Sequence, residues 1–323
     1  IRLSLVGSEM CIRDRSAMGT ALGPSLGGVL IAGLGWQAIF LVNVPLGIVA
    51  WVLAHRYLPA DCRGEKTGRA RFDNLGTLLL AVTLVAYALA MTLGRGSFGP
   101  LNGALVLTTA LGAVLFVLAE AKAASPLIRL AMFRDPGFSA SLAMNALVST
   151  VMMSTLVVGP FYLARALGLN EALVGIVMAV GPLIAILSGV PSGRAVDCWG
   201  APSMAIVGLI AMAAGAFALS VLAAMFGVAG YVAAIVVLTP GYQLFQAANN
   251  TAVMANVHPD QRGVISGMLS LSRNLGLITG ASMMGTVFAL ASKTPDIATA
   301  HPEAVANAMR ITFAVSALSL IHI

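Results

Sequence analysis

The chain has 323 residues, of which 59% are hydrophobic and 9% charged, with a formal net charge of +6 and a mean hydropathy of +0.94. Soluble domains carry roughly one quarter charged residues, so the composition excludes a soluble globular protein and points to a polytopic membrane protein. Its apolar runs are close to the roughly 20 residues of a spanning helix and lack the alternation of an outer-membrane barrel, so the predicted class is all-α.

Both ends are set apart before the chain is read. Met10 to Asp14 (MCIRD) can be encoded as ATG TGT ATA AGA GAC. Leu318 to Ile323 (LSLIHI) can be encoded as CTG TCT CTT ATA CAC ATC, which contains the reverse complement of that string. One adapter read in opposite directions yields both termini, so residues 1–15 and 318–323 are expected to be adapter-derived scars, and the remainder a fragment of a longer protein. Without them the chain keeps 15 basic and 10 acidic residues, because Arg2, Arg13, Arg15, Glu9 and Asp14 go. Cys62 and Cys198 are then the remaining cysteines, too few for a disulfide framework or a metal site.

Between the scars the length rule predicts about ten transmembrane helices: 16–35, 38–57, 75–94, 101–121, 138–164, 171–191, 203–224, 228–250, 263–290 and a cut-off last one from about 304. The first contains GTALGPSLGG, in which Gly19, Gly23 and Gly27, followed by Gly28, form a stripe without side chains for close helix packing. Pro24 removes an amide donor within that stripe and bends the helix. The longest polar connection, from Arg56 to Asp73, follows the second span; Ser125 to Pro136 and His258-Pro259-Asp260 mark later breaks.

Loop charge sets the orientation. With the first helix running outward, the inside loops collect Arg56, Arg63, Lys66, Arg69, Arg71, Lys122, Arg129, Arg134, Arg194 and Arg262, against Arg95, Arg165, Lys293 and Arg310 outside. That is the positive-inside pattern of a multi-pass plasma (inner) membrane protein. The excess of positive charge faces the lipid bilayer surface; no basic patch carries the interleaved aromatics of a nucleic-acid site.

Polar groups within the spans are the candidate site, because they are costly there. Arg273 falls about 15 Å into its helix, and Asn145 and Gln243 each roughly 10 Å from the inner face. One reading has Asn145, Gln243, Arg273 and Asn274 lining the inner half of a central cavity. The other has Arg273 snorkelling to the surface while the amides tie helices together. Thr239-Pro240-Gly241 marks a hinge or a fixed kink, and Met152, Met153, Met283 and Met284 an adaptable surface or ordinary packing. Every acid outside the scars lies in a loop or at a helix end, so no carboxylate is placed to carry a coupling proton in mid-membrane.

GTALGPSLGG, GWQAIFLVNVPLG (35–47), FDNLGTLLL (72–80), PFYLARALGL (160–169), GRAVDCWG (193–200) and RGVISGMLSLSRNLG (262–276) resemble, in order, the fourteen-helix drug/proton antiporter branch of the major facilitator superfamily. The resemblance implies a partial helix bundle: residues 16–57 as the last two helices of the amino-terminal bundle, 58–137 as a cytoplasmic loop and two intervening helices, and 138–317 as the carboxy-terminal six-helix bundle. It also implies that Gly19, Gly23, Pro24, Gly27 and Gly28 form the antiporter packing motif. Gly193, Arg194, Asp197 and Gly200 would form a cytoplasmic gate loop, with Asp197 accepting hydrogen bonds from a helix N-terminus. The chain departs from the family pattern at Gln37, Ala164, Cys198 and Ala201-Pro202. The implied function is proton-coupled export of small amphipathic molecules by alternating access in a bacterial membrane. The coupling acid would lie on a helix outside this chain, and neither cofactor nor metal would be required. The alternatives are a transporter of another small molecule in the same superfamily, or a membrane-embedded protein of another class. An enzyme is disfavoured because HExxH, Ser/His/Asp and paired-carboxylate patterns are missing from the helices.

Overall fold

The computed structural model describes residues 37–57, 73–93, 99–123, 126–255, 257, 261–292 and 301–322. The expected span 16–35, with Gly19, Gly23, Pro24, Gly27 and Gly28, lies outside the described residues, as do Cys62 and residues 1–15. The described residues are helical, with no strand among them. In chain order come α1 (Gln37–Tyr57), α2 (Asn74–Thr92), α3 (Pro100–Lys122), a 3₁₀ turn (Leu130–Arg134) and α4 (Pro136–Phe161), which runs into a π-turn at Tyr162–Ala166. Next are α5 (Glu171–Trp199) and the continuous run Ala201–Met254, which Gly227 divides into α6 (201–226) and α7 (228–254). The last two are α8 (Arg262–Ser292) and α9 (Pro302–Ile321). Seven of these helical elements are long and apolar enough to cross a membrane, the Ala201–Met254 run being one of them.

Local chemistry places the boundaries. Asp73 caps α2 by accepting from Gly76 N at 2.8 Å, and Asn170 caps α5 by accepting from Leu173 N at 2.9 Å. Asp135 caps α4 the same way, with Pro136 in the first turn, where its missing amide costs nothing. The sharp reversal between α6 and α7 needs one residue, Gly227, at φ 58° and ψ −128°, a conformation that side chains disfavour.

Packing is closest where glycine brings backbones together. In the α6–α7 hairpin, Gly208 faces the backbone of Gly241 and Phe245, and Gly215 that of Leu238, so the helices run antiparallel. Helices α4 and α8 run parallel instead: Gly276 meets the carbonyl of Ala146 and Gly280 that of Thr150, at the same offset in sequence. A core of Val148, Met212, Leu219, Tyr231, Phe245, Met309 and Phe313 binds α4, α6, α7 and α9. Helices α2 and α3 form a separate antiparallel hairpin that touches the rest through α8, where the Tyr87 hydroxyl bonds Thr279, and through the connector before α4, where Ile128 packs on Phe116. Helix α1 is exposed from Leu41 to Tyr57. Large apolar residues such as Leu107, Leu187, Ile210 and Phe217 point outward, as lipid-facing helices require.

Two expectations change. The segment Gly193–Trp199 is the helical end of α5 and not a loop; the turn is Gly200 alone, at φ +84°. Pro191 and Gly193 read as breakers in sequence, but Ser192, Gly193 and Val196 are buried against the α6–α7 hairpin and keep the helix going. Thr239-Pro240-Gly241 is likewise unbroken helix, and Gly241 is the point where α7 presses on Met212 and Gly208. At the other end of the chain, residues 318–321 complete α9 and Leu320 is buried.

Candidate functional site

Helices α4, α5, α7 and α8 enclose a cavity of about 330 Å³. Its lining on α7 runs from Tyr231 to Asn250, about 28 Å at 1.5 Å per residue, so it is an elongated groove. Met152, Leu156, Val177, Met178, Ile235 and Leu277 make its apolar wall. Thr239, Tyr242, Gln243, Gln246, Asn250 and Arg273 add polar groups, most of them toward the end where α7 stops and α8 begins. An apolar wall with a few convergent polar groups is the usual form of a small-molecule site.

The groups differ in how firmly they are held. Gln243 Nε2 donates to the Ala185 carbonyl at 3.2 Å, which fixes α7 against α5. Gln246 Nε2 donates to the Tyr242 hydroxyl at 3.0 Å, and the Tyr231 hydroxyl reaches Met178 Sδ at 3.5 Å. Arg273 is exposed to the cavity and is its single formal charge; no Asp or Glu lines the wall. Among the described residues no carboxylate pairs with it. An uncompensated cation in a spanning helix is costly unless water or a ligand meets it.

Sequence reasoning therefore separates into two groups. Gln243 and Arg273 meet in the cavity. Asn145 does not: it is 2% exposed, and its Nδ2 donates to the Leu269 carbonyl at 2.9 Å, tying α4 to α8. Asn274, one residue beyond Arg273, is exposed and outside the lining. Of the four methionines singled out, Met152 lines the cavity, Met284 is buried in packing and Met283 is 54% exposed. Tyr231, Tyr242 and Met178 were missed because an isolated Tyr or Met in an apolar run carries no periodic signal. Arg194 and Asp197 are exposed on the last turns of α5 and make no ion pair with each other. Gly200 supplies the cap position of α6 without a side-chain bond, so Asp197 does not cap that helix. Among the described residues no cluster of three His, Cys, Asp or Glu could hold a metal.

A bundle of long apolar helices around an amphipathic groove is the architecture in which the sequence comparisons fall. The Major Facilitator Superfamily profile matches residues 16–281. The chain belongs to the major facilitator superfamily. It is 32% identical to the drug efflux pump JefA of Mycobacterium tuberculosis over 306 residues, covering 90% of this chain and 58% of JefA. It is 29% identical to the uncharacterized transporter YebQ of Escherichia coli, covering 83% of this chain and 58% of YebQ. It is 28% identical to the riboflavin transporter RibZ of Clostridioides difficile, covering 84% and 58%. The chain thus spans under two thirds of the length of these relatives. Among solved structures, the nucleoside transporter NupG shares the fold, with a TM-score of 0.50 at 15% identity, covering 96% of this chain and 83% of NupG.

Proposed function

We propose that this chain is part of a secondary transporter of the fourteen-helix drug/proton antiporter branch, exporting small amphipathic molecules across a bacterial inner membrane by alternating access. The observation that carries this reading is Arg273, an unpaired cation on the wall of an otherwise apolar and amide-lined groove between four helices. The apolar wall takes the hydrophobic body of a substrate, and Arg273 with the Gln246 amide takes a polar or anionic end. The flexible side chains of Met152 and Met178 allow the wall to adapt to different shapes. The name of the relative JefA, a drug efflux pump, supports export.

Proton coupling is part of the proposal and rests on the resemblance, with the coupling acid on a helix outside this chain. A second reading, uptake or export of one particular solute, is favoured by the relative RibZ, named for riboflavin. The test uses the complete protein in proteoliposomes, where Arg273→Ala is expected to lower substrate flux about tenfold or more, as loss of a charge-assisted hydrogen bond would. Unchanged flux for every amphipathic substrate tried would remove the cavity from the mechanism. Flux that responds to an imposed pH gradient supports antiport, and flux confined to one solute supports the second reading.

A further inference from the structure

The α2–α3 hairpin carries a second arrangement of polar groups, away from the cavity. Asp73 stands at the first turn of α2 and Glu120 near the last turn of α3, so the antiparallel hairpin brings the two carboxyls together. Glu120 is 3% exposed. Each carboxyl spends one oxygen on a backbone amide: Asp73 Oδ1 accepts from Gly76 N at 2.8 Å, and Glu120 Oε2 from Ile128 N at 3.1 Å. The remaining oxygens, Asp73 Oδ2 and Glu120 Oε1, are both buried with no hydrogen-bond partner. Both lie over Gly76, where a Cβ would overlap each of them.

Two buried acceptors that converge without a donor are unsatisfied whichever way the carboxyls turn, and two carboxylates in one site do not both stay ionised. Among the described residues, the elements packed around them supply no other charge. Helices α4 and α8 and the connector present Phe138, Leu142, Met268 and Leu127 on that side, while Lys122, Arg129, Arg134, Asp135 and Arg262 are exposed. We propose that Asp73 and Glu120 are a proton-binding site, holding one proton between Oδ2 and Oε1 and so clasping α2, α3 and the connector at Ile128. The single proton supplies the missing donor and leaves the pair with one negative charge, spread over oxygens that accept from Gly76 and Ile128. Loss of that proton sets two negative charges face to face and releases the connector that leads into α4. The clasp belongs to the hairpin and stands independently of the role assigned to Arg273.

The experiment is infrared spectroscopy of the complete protein in lipid nanodiscs, combined with hydrogen exchange at Ile128. At neutral pH the wild-type protein is expected to show a protonated-carboxyl band that disappears both in Glu120→Gln and in Asp73→Asn. In Glu120→Gln the amide donates to Asp73 in place of the proton, so folding is retained. Raising the pH until the wild-type band disappears is expected to lower protection of the Ile128 amide about tenfold, after correction for intrinsic exchange. The same rise in pH is expected to leave Glu120→Gln unchanged. A wild-type protein without the band, a band that survives either substitution, or stabilisation of the wild-type protein by sodium or potassium in place of the proton would each overturn the proposal.

Discussion

The α2–α3 hairpin and the face around Arg273 are built from equally apolar helices, yet they dispose of their polar groups in opposite ways. In the body of the hairpin the amide and hydroxyl side chains are spent on backbone carbonyls, Asn102 Nδ2 donating to Ala90 at 2.8 Å and the Thr83 hydroxyl to Leu79 at 2.7 Å. The two carboxyl oxygens left over, Asp73 Oδ2 and Glu120 Oε1, are shut away from the cavity. Around the cavity, Arg273 stands exposed on the wall with no carboxylate opposite it. A polar residue in a spanning helix is therefore not a site by virtue of its depth. It becomes one when the fold leaves its hydrogen-bonding capacity open to a void. Asn145 makes the same point within the bundle: its Nδ2 donates to Leu269 and ties α4 to α8, and its unpartnered Oδ1 is buried outside the cavity lining.

Breaking the scaffold that opens the cavity should have the largest effect. Gly276→Leu would drive a side chain into the Ala146 carbonyl, where backbone cannot give way, and should cost at least the roughly 1–3 kcal/mol typical of overpacking. Thermal unfolding in detergent should show the loss, together with a fall in monodisperse protein; an unshifted transition would mean that α4 and α8 are not in backbone contact.

Separating tie from site is the next test. Asn145→Ala should lower stability by about 1 kcal/mol while leaving substrate affinity unchanged, the reverse of the pattern expected for Arg273→Ala. A drop in affinity with normal stability would move Asn145 into the cavity. The smallest effect is expected at Asn274, where the alanine variant should stay within about 0.5 kcal/mol of wild type in stability and should transport normally. Impaired transport there would show that the exposed side of α8 also meets the substrate or another part of the transporter.

Much of the fold was legible in the sequence. The described helices begin and end within a few residues of the apolar runs, except that α5 continues to Trp199 where a loop was expected. The continuation was hidden because Pro191 and Gly193 suggest a break to any local reading, and only the packing of Ser192, Gly193 and Val196 against the next hairpin shows why the helix persists. The site was half legible: Gln243 and Arg273 could be singled out as polar residues in apolar helices, whereas Tyr231, Tyr242 and Met178 could not. Glu120 was recognisable as an acid at a helix end, but its burial beneath Ile128 and its approach to Asp73 depend on how the hairpin closes.

Apolar length alone determined that this chain is a set of membrane helices, since a bilayer leaves backbone amides no other partner than their own helix. Tertiary structure alone decided which polar residues face the cavity. Arg273 and Asn274 are neighbours in sequence, but about 100° of helical rotation separates them, so one reaches the groove and the other turns away from it. That rotation has meaning only once α4, α5, α7 and α8 are set around the cavity.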